Sequence, residues 1–144
     1  MNILVIHGPN LHLLGKREPG VYGALTLKAL NALIKTHAAA RGAKIRSFQS
    51  NCEGGIIDLL TANAAWANTL IINPGAYTHY SYAIRDAIKG LGLRAVEVHL
   101  SDIARREPFR KRSVIKAVCV KQIKGFGPAS YTRAIDLLLA NEKK

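Results

Sequence analysis

TLIINPGAYTHYSYAIRDAIKG, residues 69–90, reads as an apolar strand over 69–73, a turn on Asn73, Pro74 and Gly75, and a helix over 78–90. Pro and Gly in that turn let the backbone come close to whatever lies beside it, and N–H groups at a helix start favour an anion there. Thr78 stands where the helix would be capped and Gly90 where it would close. The same alternation extends in both directions. Strands are expected over 3–7, 44–49, 95–100 and 117–123, and helices over 25–41, 53–65 and 129–141. Apolar residues recur at helical spacing, as with Leu27, Leu30 and Ile34, or Ile56, Ile57 and Leu60. Gly42 occupies a second C-cap position. No repeat, low-complexity segment or linker interrupts the pattern.

Strand–helix alternation implies right-handed crossovers and a parallel sheet covered on both faces. Five strands fit an α/β, flavodoxin-like three-layer sandwich with a five-stranded parallel sheet. Ligands of such sheets bind outside the carboxyl ends of the strands, so chemically able residues should gather just after each strand. They do: His7-Gly8-Pro9-Asn10 after the first, Gln49-Ser50-Asn51 after the second, Asn73 through His79 after the third, and Glu97-Val98-His99-Leu100-Ser101 at the end of the fourth.

Two of these clusters suggest chemistry. GPNLHLLGKREPGVYG, residues 8–23, is a polar connection with four glycines and two prolines, and loops of this length inside a compact domain are usually functional. It carries Asn10, Arg17, Glu18 and Tyr22, and a phenol beside a guanidinium ionises more readily than a free one. In EVHLS, Glu97, His99 and Ser101 fall on one side of a strand and Val98 and Leu100 on the other. A carboxylate two residues from a histidine orients the imidazole and supports its charged form, as a general acid requires; taken alone, the pattern equally describes the surface of an edge strand. Asp86 alone reads as an exposed helix acid paired with a nearby Arg or Lys, Arg110 as one solvated cation among many, and Cys52 as packed and inert. His7, His12 and His37 show no metal spacing.

The bulk properties limit the alternatives. The 144 residues suit one domain, and 49% hydrophobic with 21% charged residues is ordinary for a soluble globular protein. No apolar run reaches the length of a membrane span, and MNILVIHGPN reads as a strand and not as a signal peptide. Cys52 and Cys119 are too few and too far apart for a disulfide scaffold or zinc ribbon, and point to a reducing cytoplasm. The net charge of +12 is the compositional oddity, with eight basic residues between 105 and 124 opposed there only by Glu107. It motivates a competing reading, a nucleotide- or nucleic-acid-binding module of the same fold. Aromatic residues make up only 6%, thin for a stacking platform. A phospho-acceptor receiver needs an acidic cluster at the strand ends, which here carry Asn, His and Ser.

In order, GPNLHLLGKREPGVYG, QSNCEGGIIDLL, INPGAYTHYSYAIRDAI, EVHLSDI with EPFRKRS, and GFGPASY resemble the type II 3-dehydroquinate dehydratases, and the resemblance spans almost the whole chain. It implies one catalytic domain over 1–144 with an active-site lid at about 16–24, a flavodoxin-like fold, and a homododecamer built as a tetramer of trimers. It implies reversible loss of water from 3-dehydroquinate to give 3-dehydroshikimate in the shikimate pathway, with no metal or organic cofactor and neither nucleic acid nor membrane as partner. The roles carried over make Tyr22 the base at C2, Arg17 the lid cation favouring its phenolate, and Asn10 the holder, with Pro9 and Ala76, of a water on the enolate oxygen. His99 becomes the acid for the departing C1 hydroxyl, oriented by Glu97. Asn73 with the backbone of Leu100 and Ser101 becomes the carboxylate pocket, His79 and Arg110 the ring-hydroxyl contacts, and Asp86 a residue reaching a neighbouring subunit's site. The chain departs from the family pattern at Lys16, at Cys52 where a histidine is expected, at Tyr80 and Tyr82, and at Lys121 and Gln122, where a more apolar strand is expected. The chemistry is consistent with these roles. Loss of water from a β-hydroxy ketone needs a base, an enolate stabiliser and an acid. Lowering a tyrosine from about 10 by roughly two units takes about 2.7 kcal/mol of preferential stabilisation of its anion, within reach of a partly desolvated arginine.

Overall fold

The computed structural model describes residues 1–16 and 24–143, so the expected lid with Arg17 and Tyr22 lies, apart from its ends, outside the described residues. Five strands, β1 (Asn2–His7), β2 (Lys44–Gln49), β3 (Thr69–Asn73), β4 (Arg94–His99) and β5 (Lys121–Lys124), alternate with α1 (Leu27–Ala39), α2 (Glu53–Asn63), α3 (Tyr82–Gly90) and α4 (Ala129–Ala140). All strand pairs are parallel, in the order β2-β1-β3-β4-β5, the flavodoxin-like order.

Because both faces are covered, central strands read as continuous apolar runs. Ile3, Leu4, Val5 and Ile6 of β1 are all fully buried. Ile3 and Val5 pack with Leu30, Ile34 and Ala38 of α1 and with Tyr131, Ala134, Ile135 and Leu138 of α4. Leu4 and Ile6 face the other way, onto Ile56 and Leu60 of α2 and Ile84 and Ile88 of α3. The four-residue spacing of these helix residues gives each helix one apolar stripe. Each buried Leu or Ile contributes roughly 1.5–3 kcal/mol relative to exposure.

The chain passes from β1 out to β2 and then returns to the far side of β1 as β3, which makes the β1/β3 boundary the topological switch point. The loops after these two strands cross in backbone contact. A Cβ on Gly8 would lie 2.5 Å from the Pro74 carbonyl group, and Gly75, at φ +62°, sits against Pro9. Only glycine satisfies both positions. Asn10 takes the left-handed region at φ 70°, which asparagine tolerates better than most residues.

Several expectations are corrected. The first helix is shorter, Leu27–Ala39, with Thr26 accepting from Ala29 N–H at 3.1 Å. Residues Gly75–His79 form a 3₁₀ turn, and α3 starts only at Tyr82. Its cap is Ser81 and not Thr78: Ser81 Oγ accepts from Ile84 N–H at 3.1 Å and donates to Glu53 Oε2 at 2.6 Å. Thr78 is buried, and its hydroxyl has no hydrogen-bond partner among the described residues. Gly90 is the last residue of α3, and the left-handed position falls on Gly92 at φ +65°. The fifth strand begins at Lys121, because Ser113 Oγ accepts from Ile115 and Lys116 N–H ahead of a 3₁₀ turn at Lys116–Val118. Cys52 is exposed rather than packed.

Candidate active site

The parallel sheet brings the carboxyl ends of β1, β3 and β4 to one edge. Pro9, Asn10, Asn73, Ala76, His79, His99, Leu100, Ser101 and Arg110 line one cavity there. Among the described residues, Gly75, Arg106 and the apolar side chains of Leu11, Leu13, Leu14 and Ile103 also line it. Arg106 was missed by sequence reasoning. The available signal was its spacing of four from Arg110, hidden among eight basic residues. Asp86 stands apart, exposed on α3.

The alternation of β4 places Glu97 and His99 on the same side. β4 is not an edge strand, since β3 and β5 flank it, and Glu97 is fully buried. His99 Nε2 and Glu97 Oε2 are 2.8 Å apart. Ser113 Oγ donates to Glu97 Oε1 at 2.5 Å, and Gln122 Nε2 donates to Oε2. Burial, the largest single influence, pushes the Glu97 carboxyl upward; the bonds from His99, Gln122 and Ser113 and the attraction of His99 together outweigh it and hold the group below its ordinary value. An ionised carboxylate accepts only, so His99 Nε2 carries a proton and its Nδ1 is left for the cavity. Gln122, a departure from the expected apolar strand, thereby acquires a structural reason.

His79 is fixed differently. Its Nδ1 donates to the Arg112 carbonyl at 2.6 Å, and its ring meets the Phe109 ring edge-on at 5.5 Å between centroids. Burial lowers its affinity for a proton, which the Arg112 carbonyl opposes and the nearby His99 and Arg110 reinforce. The neutral ring with Nδ1–H leaves Nε2 as an acceptor for a hydroxyl. Arg110 pairs with Glu107 and stacks 4.7 Å above the Phe109 ring centroid.

Beneath the cavity lies a second buried network. Asn73 Oδ1 accepts from Gly75 N–H at 3.1 Å, and the Asn73 side chain neighbours the fully buried Tyr131 hydroxyl. That hydroxyl is 3.1 Å from His7 Nδ1, and His7 Nε2 is 2.7 Å from Asn31 Oδ1. The amide oxygen of Asn31 requires a donor, so Nε2 is protonated and Nδ1 accepts from Tyr131. Burial pulls His7 down to about 4 against the Asn31 bond, and pushes Tyr131 well above the ordinary phenol range. The Asn31–His7–Tyr131–Asn73 contacts link α1, β1, α4 and β3 at the base of the site.

Among the described residues no three His, Cys, Asp or Glu side chains come together as a metal-binding group, and no helix is long and apolar enough to cross a membrane. The site therefore offers a buried carboxylate–imidazole pair, a neutral second histidine, an anchored carboxamide and two arginines around one cavity.

The family model for class II dehydroquinase matches residues 1–139. A 3-dehydroquinate dehydratase of Roseiflexus castenholzii is 53% identical over 139 residues, covering 96% of this chain and 88% of that protein. One of Clostridium beijerinckii is 53% identical over 140 residues, covering 96% and 95%. The crystal structure of a type II dehydroquinase from Butyrivibrio crossotus superposes with a TM-score of 0.94 at 44% identity, covering 96% of this chain and 97% of that one.

Proposed function

The chain belongs to the class II dehydroquinase family, and on that premise we propose that it is a hydro-lyase interconverting 3-dehydroquinate with 3-dehydroshikimate and water, by anti elimination through an enolate, in the shikimate pathway. The observation that carries this reading is the buried Glu97–His99 pair at the wall of a cavity also lined by Asn10, Asn73, His79 and two arginines.

On this reading Tyr22, favoured as phenolate by Arg17, removes the proton next to the ketone. Asn10, with Pro9 and Ala76, holds a water that stabilises the enolate oxygen. His99, oriented by Glu97, delivers a proton to the departing C1 hydroxyl, so that hydroxide never leaves unassisted. Asn73 and the backbone of Leu100 and Ser101 take the carboxylate, while His79 and Arg110 take ring hydroxyls. The neutral state of His79 supports that assignment, since an acceptor nitrogen opposite a hydroxyl needs no charge. Neither a metal nor an organic cofactor enters this scheme. Closure of residues 16–24 over the cavity would exclude water and strengthen each charge interaction within it.

We also infer a homododecamer, a tetramer of trimers, in which Asp86 reaches a neighbouring site. Asp86 is exposed near the exposed rings of Tyr80 and Tyr82, and such a face suits burial against another copy. The two unpaired cysteines support action in the cytoplasm.

The test is ultraviolet absorbance on mixing the protein with 3-dehydroquinate in chelator-treated buffer, because the conjugated product absorbs and the substrate does not. Turnover is expected to survive borohydride, and Tyr22→Phe is expected to lower it by about 10²–10⁴-fold with unchanged circular dichroism. A Tyr22→Phe protein with wild-type turnover would remove the proposed base; no signal from folded wild-type protein would remove the activity.

A further inference from the structure

The donors around Glu97 exceed what orienting a histidine requires. A hydroxyl has one proton and two lone pairs. Ser113 Oγ accepts from the N–H groups of Ile115 at 3.1 Å and Lys116 at 3.0 Å, so its proton has one remaining direction, Glu97 Oε1 at 2.5 Å. Two N–H dipoles behind the oxygen also make that proton a stronger donor. From the other side, the β4–β5 register sets Gln122 opposite Glu97, and its amide donates to Oε2, the oxygen that also meets His99. The carboxylate therefore meets three donors, from β4, β5 and the loop between them. A protonated carboxyl would turn its own hydrogen against one of these.

We propose that Ser113 and Gln122 are positioning residues for His99: by saturating Glu97 with donors they keep the proton of the pair on the imidazole, the member that lines the cavity. This rests on the reading of Glu97 and His99 as the acid pair. The clamp acts as a setting of acidity. A carboxylate that is already satisfied pulls less on the imidazole proton, so His99 gives it up more readily to a departing hydroxyl.

Among the described residues, the other charged and titratable groups around the pair are His79 and Arg110 in the turns after β3 and β4, and Arg106 in the cavity wall. The Cys119 thiol bonds the Glu97 backbone and is pushed up to about 12, first by burial and then by the Glu97 charge. Lys124, opposite His99 in the sheet, is drawn to Asp102 at 3.7 Å. All of these remain in a Ser113 or Gln122 variant, so the difference from wild type isolates the clamp.

The experiment compares Ser113→Ala and Gln122→Leu with wild type in two pH series, kcat with 3-dehydroquinate and the His99 ring resonances of substrate-free protein by NMR. Removing a donor makes Glu97 more basic, so the pair holds its last proton to higher pH. The alkaline limb of kcat and the ring titration are both expected to move up by about one pH unit per donor, with kcat about tenfold lower and KM within about twofold. Ser113→Thr, which keeps the hydroxyl, should return both to wild type. A merely structural serine would lower stability without moving either curve. Wild-type positions of both curves in Ser113→Ala and Gln122→Leu overturn the proposal. If Ser113→Ala does not fold, Gln122→Leu alone decides. The NMR series needs no turnover, so it still decides when the activity itself is absent.

Discussion

At the end of β1, His7 occupies a place where charge is costly. It is fully buried, and burial pulls it from 6.5 to about 4. The sign follows from proton counts. Between those values the unfolded chain binds a proton that the folded chain does not, so stability rises with pH across that window and is lost as pH falls through it. At 1.36 kcal/mol per pH unit, the loss from His7 approaches about 3 kcal/mol by pH 4. His79 and Glu97 act in the same direction, since burial lowers the first and donors hold the second down. Urea unfolding of wild type and His7→Asn at pH 4, 5, 6 and 7 measures the histidine's share. The variant is expected to lose about 3 kcal/mol less than wild type between pH 7 and 4; equal losses would show that another group carries the acid sensitivity. None of this was readable from His7 in the sequence. Its partners are Asn31 and Tyr131, 24 and 124 residues away.

Among the elements, the segment from β3 to α3 separates local from tertiary control. Local propensity favours Thr78 as a cap, since a hydroxyl at a helix start satisfies a free N–H. Ser81 takes the role because the backbone must first complete the 3₁₀ turn of Gly75–His79, which carries His79 to the cavity. Ser81 also ties α3 to the first turn of α2 through Glu53. Ser81→Ala is expected to cost roughly 1–2 kcal/mol, the cap together with the lost bond to the carboxylate. Thr78→Val removes a buried hydroxyl that has no partner among the described residues and is expected to leave stability unchanged or slightly raised. Chemical denaturation of the two variants decides between the caps, and the reverse ranking would restore Thr78. The β4 alternation, by contrast, was legible as a pattern. Glu97 and His99 share a side because strand geometry allows nothing else, yet their burial depended on β5 pairing beyond them.

For the whole molecule, net charge is the dominant long-range property. The +12 is partly offset locally in the fold, where Asp102 faces Arg105 at 3.8 Å and Lys124 at 3.7 Å and Glu107 pairs with Arg110. The remaining positive potential, with Arg106 and Arg110 at the cavity, should attract an anionic substrate. Raising salt shortens the screening length from about 30 Å at 0.01 M to about 3 Å at 1 M. kcat/KM for 3-dehydroquinate is therefore expected to fall several-fold across that range while kcat holds steady. A flat kcat/KM would assign the basic surface no part in substrate capture.

The order and kind of the elements, the parallel sheet and the gathering of functional residues after its strands were all determined by the sequence alone. Periodicity is a local property, and one chirality rule turns it into a topology. That topology necessarily brings Asn10, Asn73, His79 and His99 to one edge. The tertiary structure alone decided which side chains satisfy one another there: Ser113 and Gln122 on Glu97, Tyr131 on His7, Ser81 rather than Thr78 on α3, and Arg106 beside Arg110 in the cavity wall. Those choices depend on distances between segments far apart in the chain. A buried polar group takes whichever partner packing brings within about 3 Å, and local sequence holds no record of that distance.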